Sequence, residues 1–325
     1  MCTVCIQAKH KQRIIRVPVR RTTKPSELVH SDVCGPFNTP TLRDNWYYVL
    51  LIDDYTRYTS VWLLPNKKCE TCTCTNLSFQ AQVDSMGYKL KEFRCRIARG
   101  EYDNKTFQYI LAAGGTTYKP CPPYAHHENS VAKHVVQTIT EMAWAMMIDS
   151  QAPIQFWGEA VNAAVYLHQW SPNEGLKRND CDGLHAPHEM PHEMLHGFGK
   201  LTHNADGNES SYQVSLHNIR LFGSYTSGLI PKAERHQGMF GTRSKPCMMV
   251  GYTHDAKMMW RIWDSEFQKV KAQSEVVFDE ERNAHMSCQH GSNEIDILVL
   301  PEDKEYVKET DTGDEPLRGL VNPSR

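Results

Sequence analysis

A chain of 325 residues is long enough for one large domain and a smaller one, with ample core for both. No apolar run approaches the roughly 18 residues needed to span a bilayer, so the expectation is a protein with no membrane partner. Eleven cysteines, scattered without a regular framework, exclude a disulfide scaffold and place the expected compartment in the nucleus or cytoplasm, not outside the cell.

The net charge of −2 is uninformative, but its distribution is not. Met1 to Lys24 carries seven Lys or Arg and no acid, whereas Glu294 to Glu315 carries nine acids against two lysines. A basic arm, a mixed body and an acidic tail suit a polyanion binder with a disordered end, solvated termini without a partner being the plain alternative. Within the arm, Lys9, Lys11, Arg13, Arg16, Arg20 and Arg21 are candidate phosphate contacts. Val17-Pro18-Val19 inside it favours an extended segment over a helix.

Leu28 to Val33 has the makings of a short strand holding a carboxylate, Asp32, just before a Gly-Pro break. Trp46 to Ile52 is apolar, β-branched and aromatic, too short for an independent helix, and reads as a buried strand. Tyr58 to Leu64 alternates as a third strand. Lys67 to Met86 is the first expected helix, with Leu77, Phe79, Val83 and Met86 as its buried face. Its Cys69, Cys72 and Cys74 lack a nearby fourth ligand, so they are not read as a metal cluster. A fourth strand, Tyr88 to Ile97, precedes a short helix from Phe107 to Ala113 and a strand from Thr116 to Tyr118. The longest helix runs from Ser130 to Ile148, with Val131, Val135, Ile139, Met142, Met146 and Met147 on its apolar face. Another spans Pro153 to Leu167. His185, His188, His192 and His196 follow, but Pro187 and Pro191 interrupt any helical metal site. A second unit of short strands follows from Leu216: Ile219–Phe222, Tyr225–Thr226, Cys247–Val250, Trp260–Trp263, Lys269–Lys271 and Glu275–Phe278, which suits a small barrel. Lys257 and Arg261, among other basic residues interleaved with Tyr252, Trp260 and Trp263, are candidate DNA contacts.

His30-Ser-Asp-Val-Cys-Gly-Pro36, followed by Tyr48-Val-Leu-Leu-Ile-Asp-Asp-Tyr-Thr-Arg-Tyr58, resembles the integrase core of copia-type (Ty1-like) LTR retrotransposons. Gly100-Glu-Tyr-Asp-Asn104, Asn129-Ser-Val-Ala132, Phe156-Trp-Gly-Glu-Ala160, Pro191-His-Glu-Met-Leu-His-Gly197 and Ser274-Glu-Val-Val-Phe-Asp-Glu280 fall in the family order. The resemblance covers roughly residues 1 to 282. It implies a ribonuclease-H-like α/β core, a mixed sheet flanked by helices, carrying a small C-terminal SH3-like β-barrel. The divisions implied are a truncated zinc-knuckle remnant and basic arm (1–24), a catalytic core (25–200), a linker (201–215), the barrel (216–282) and an acidic disordered tail (283–325).

The activity implied is joining element cDNA to host DNA, with Mg2+ or Mn2+ held by three carboxylates. Expected partners are DNA, with RNA as an alternative, and further copies of the same chain. Asp32 matches the first metal carboxylate. Counting back from Gly100-Glu101-Tyr102 puts Arg96 at the second, and the helical pattern Asn-Gly-x-Ala-Glu, read here as Asn129-Ser-Val-Ala-Lys133, puts Lys133 at the third. Cations have replaced two of three anions, so the expectation is a degenerate, catalytically inactive copy. Asp32, even with Glu101, Asp103 or Glu128 nearby, is a poor substitute for the three-carboxylate set. The family's zinc knuckle needs a His pair upstream of its Cys pair. Cys2 and Cys5 stand here without it, and two thiolates do not close a four-ligand zinc site.

Overall fold

A computed structural model describes residues 22–96, 102, 104–121, 129–173, 176, 190–196, 202–203, 209–210, 218–232, 235, 241–253 and 259–283. The N-terminal arm with Cys2 and Cys5, the histidine-rich stretch before Pro191, Lys257 and the acidic tail lie outside the described residues.

Three strands open the chain: β1 (Leu28–Cys34), β2 (Tyr47–Asp53) and β3 (Thr59–Leu64). They pair antiparallel in sequence order. After helix α1 (Cys69–Ser85), the chain returns as β4 (Glu92–Arg96), parallel to β1. Helix α2 (Lys105–Ala113) leads to β5 (Thr117–Cys121), parallel to β4. The resulting order, β3-β2-β1-β4-β5, is a mixed sheet with β1 at its centre, the ribonuclease-H-like arrangement. Short connections can join only antiparallel neighbours, so the two parallel additions each require a helical crossover.

Period-two alternation sends β-strand side chains to two opposite cores. Val29, Val49, Leu51, Phe93 and Cys95 face one layer, with Phe79 and Val83 of α1 and Phe107 and Leu111 of α2. Tyr48, Leu50 and Ile52 face the other, against α3 (Ser130–Ser150) and α4 (Trp157–Gln169). The buried stripe of α1 runs Cys72, Asn76, Phe79 and Val83; Leu77, expected inside, is 43% exposed. The apolar spacing there is diluted by Thr and Asn, and these polar residues, not Leu77, occupy the inward positions. A short helix, α5 (Pro191–His196), covers the turn-helix motif expected there.

The C-terminal unit is a five-stranded antiparallel sheet: β6 (Ser224–Leu229), β7 (Ser244–Tyr252), β8 (Trp260–Asp264), β9 (Lys269–Gln273) and β10 (Val276–Asn283), in the order β9-β8-β7-β6-β10. This is the SH3-like part. Ile219–Phe222 forms no strand, and the expected linker contains a two-residue ladder pairing Thr202–His203 with Glu209–Ser210.

One apolar cluster runs continuously from Leu50 through Ile139 and Ala164 to Val250, Ile262 and Trp263, so α4 is shared by both units. Phe156 meets Trp263 edge-on at 5.0 Å, and Tyr166 stacks on Tyr252 at 4.2 Å. At Gly158 an added Cβ would lie 2.6 Å from a Thr41 methyl and 2.9 Å from a Leu63 methyl, so the glycine lets α4 approach β3 closely without displacing either side chain.

Candidate active site

Asp32 lies on the central strand opposite Leu50 of β2, and therefore on the face that α3 covers. The parallel ladder to β4 pairs His30 with Arg94 and Ser31 with Cys95, so the next residues along, Asp32 and Arg96, stand level on the same face. Neighbouring strands are about 4.8 Å apart, which makes these two positions immediate neighbours. Arg96 ends β4 and is exposed; Asp32 is half-buried, and its Oδ1 accepts from the Val33 amide at 3.1 Å.

The third position is brought in by the start of α3. Asn129, at its N-cap, donates from Nδ2 to the Ser31 carbonyl at 3.1 Å, and its Oδ1 meets His30 Nδ1 at 3.2 Å. Lys133 is four residues on, roughly one helical turn away, and exposed. Asp32 and Arg96 thus stand on neighbouring strands, and the helix start that carries Lys133 is tied to Ser31, the residue before Asp32.

The pin holding α3 to the sheet extends further. His30 Nε2 lies 3.3 Å from Asp54 Oδ1, Arg57 donates to the same oxygen at 3.1 Å, and the Thr22 amide and hydroxyl both donate to Oδ2 at 3.1 Å. Burial alone would raise the Asp54 carboxyl, but the bonds from His30 and Thr22 and the Arg57 charge hold it well below the usual carboxylate range. Behind Asp32, Ser31 Oγ shares a 2.7 Å hydrogen bond with Tyr102, the tyrosine of the Gly-Glu-Tyr motif, which packs on Phe93 and Phe107. His30, Asp54 and Asn129 all belong to the quoted motifs, yet nothing in their spacing shows that they bond to one another.

These residues do not fit a two-metal centre. Among the described residues, no three His, Cys, Asp or Glu side chains come together in a way that could hold a metal ion. Glu101, Asp103 and Glu128 lie outside the described residues. Cys34, two residues past Asp32 on the same strand, is no substitute, because burial pushes its thiol up to about 11 and keeps it protonated. A unit charge 4 Å from another costs about 1 kcal/mol in water and about 4 kcal/mol at an effective dielectric of 20, doubled against a divalent ion. A cation fixed beside Asp32 would oppose a divalent ion where a carboxylate would attract it.

The expected DNA contacts on the second unit divide. Arg261 is not an open cation: its Nε and NH2 grip the two carboxylate oxygens of Glu159 on α4 at 2.9 and 2.7 Å. Tyr252, Trp260 and Trp263 are buried in the core, so they offer no stacking surface to a base. Trp260 packs edge-on against Phe278, Trp263 edge-on against Phe156, and Tyr252 stacks on Tyr166 of α4. Lys245 and Lys271 both pair with the buried carboxylate of Asp264. Lys9, Lys11, Arg13, Arg16, Arg20, Arg21 and Lys257 lie outside the described residues.

Comparison with known proteins agrees with the motif resemblance. The family model for the Retroviral polymerase SH3-like domain matches residues 225–291. The retrovirus-related Pol polyprotein from transposon TNT 1-94 of Nicotiana tabacum is 29% identical over 280 residues, 86% of this chain. The chain is similar in sequence to this retrotransposon Pol polyprotein. A second such relative, the Pol polyprotein from transposon RE2 of Arabidopsis thaliana, is 27% identical over 78% of the chain. The chain spans 19% and 15% of the lengths of these two polyproteins. A solved structure of the simian T-cell lymphotropic virus intasome in complex with the PP2A regulatory subunit B56 gamma overlaps with a TM-score of 0.45 and 11% identity, covering 84% of each chain.

Proposed function

We propose that this chain is an integrase-type protein of retroelement origin that binds DNA but does not carry out strand transfer. The observation that carries the reading is the register of β1 against β4, which sets Arg96 beside Asp32 on the face where the family resemblance calls for a second carboxylate. By the same resemblance Lys133, at the start of α3, falls at the third place. Strand transfer by two metal ions needs several anionic oxygens to hold both dications about 4 Å apart. One carboxylate with two cations in place of the other two does not supply them.

DNA is the partner this reading names, engaged by the basic arm and the sheet corner, with assembly of several copies in keeping with an integrase ancestry. Among the described residues, no helix is long and apolar enough to cross a membrane. The test pairs two assays on the full chain. Strand transfer with a labelled duplex and Mn2+ is expected to give no product, and fluorescence anisotropy is expected to show salt-dependent binding of the same duplex. Product formation above the no-protein control would overturn the reading, as would failure to bind at low salt.

A further inference from the structure

We propose that the outer edge of β9 is a docking surface for the chain's own acidic tail, taking residues 294–300 as an added antiparallel strand. In the order β9-β8-β7-β6-β10, the first and last strands each have a described strand on one side only. Such an edge offers a row of backbone donors and acceptors to any extended segment within reach. The two edges differ in charge. β10 carries Asp279, Glu280 and Glu281, whereas β9 reads Lys269-Val-Lys-Ala-Gln273 and holds no acid. The rim beside β9 suits an acidic and apolar guest. Lys245 and Lys271 share the Oδ2 of Asp264, and their ammonium groups lie 4.3 and 4.5 Å from the ring centre of Phe267. Phe267, in the turn from β8 into β9, leaves 53% of its surface exposed. With Lys269 and Glu266 included, three cations face two anions there, a sum of +1 (3 − 2).

The occupant is read from the sequence. Residues 284–293 contain no Asp, Glu, Lys or Arg and include Gly291-Ser-Asn293, the composition of a tether. Glu294-Ile-Asp-Ile-Leu-Val-Leu300 then alternates acids with isoleucines before an apolar run, and Pro301 closes it. This is the pattern of β9 with the charge reversed. Antiparallel pairing that sets Ile295 opposite Val270 also sets Glu294 opposite Lys271 and Asp296 opposite Lys269, and it carries Leu298 to Phe267. The tether is long enough. Eleven positions separate Asn283, the end of β10, from Glu294 (294 − 283 = 11), or up to about 36 Å of extended chain. The longest strand of this unit, the nine residues of β7, spans about 30 Å. Pairing with β10 instead would set the same acids against Asp279 and Glu281.

The experiment is hydrogen–deuterium exchange on the full chain, read by mass spectrometry over residues 294–300 and over β9. A synthetic peptide of residues 290–304 supplies the unpaired reference. Amides of the segment are expected to exchange about tenfold more slowly in the protein than in the peptide, at a rate independent of chain concentration. Ile295→Lys with Ile297→Lys alters the tail and leaves the barrel residues unchanged. It should return the segment to the peptide rate and speed exchange at β9. Lys269→Glu should cost about threefold of the protection, and adding Asp296→Lys should restore it, because opposite charges again face each other. Exchange at the peptide rate in the wild type refutes the proposal. Protection that survives Lys269→Glu undiminished, or the paired isoleucine substitutions, places the segment elsewhere and refutes the β9 edge. Protection that grows with chain concentration assigns the added strand to a second copy and overturns pairing within one chain.

Discussion

Replacing Arg261 by Ala should destabilise the whole described body while leaving DNA affinity untouched. Arg261 is 27% and Glu159 11% accessible at the side chain, and both guanidinium contacts are short. Breaking a fully buried ion pair by removing one partner costs about 3–5 kcal/mol, whereas an exposed pair is worth about 0–1 kcal/mol. The burial here lies between those limits, so about 2 kcal/mol is expected, mostly from the Glu159 carboxylate left without its partner. In a chain of this size that corresponds to a fall of about 4 °C in Tm. Because α4 carries Glu159 and its neighbours share one core with β7 and β8, the loss should appear in a single cooperative transition of urea unfolding, not in separate ones. Glu159→Gln and the double variant complete a cycle, with a coupling energy of about 1–2 kcal/mol expected. Less than about 0.5 kcal/mol lost in Arg261→Ala, together with a salt slope for DNA lowered by about 1, would refute the pairing and return Arg261 to phosphate binding.

Asp54→Asn should lose about 2 kcal/mol at pH 7, because charge-assisted bonds from His30, Thr22 and Arg57 depend on the anion. The folded carboxyl is depressed below its unfolded value of about 3.9, so its contribution is present above pH ~4 and is lost as pH falls through the folded value. Urea midpoints of wild type and variant should therefore converge below pH ~4; a gap constant with pH would contradict the network. Asn76 is buried in the core-facing stripe of α1, and among the described residues neither amide atom has a hydrogen-bond partner, so Asn76→Leu should raise stability by about 1–2 kcal/mol in the same titration, and a loss would show that the amide has a partner.

The sheet was legible because its signals are local. The aromatic and β-branched run at Tyr47–Asp53 admits little but a buried strand, and the cores of β1, β3 and β4 are set by the same period of two. Placing Arg96 and Lys133 beside Asp32 needed the motif resemblance, since no spacing rule joins positions 32, 96 and 133. What the sequence concealed is pairing across distance. Glu159 and Arg261 are 102 residues apart, and an arginine among tryptophans looks the same whether it faces DNA or a carboxylate on a helix. Likewise, Trp260 and Trp263 look like a stacking platform until each is seen inside the core, against Phe278 and Phe156.

Titrating Mn2+ into the wild type and into the reverted variant Arg96→Asp with Lys133→Glu, by calorimetry, tests the central claim most directly. No binding heat beyond dilution is expected for the wild type, and saturable binding for the reverted protein. Saturable binding of two ions by the wild type, abolished by Asp32→Asn, would contradict it.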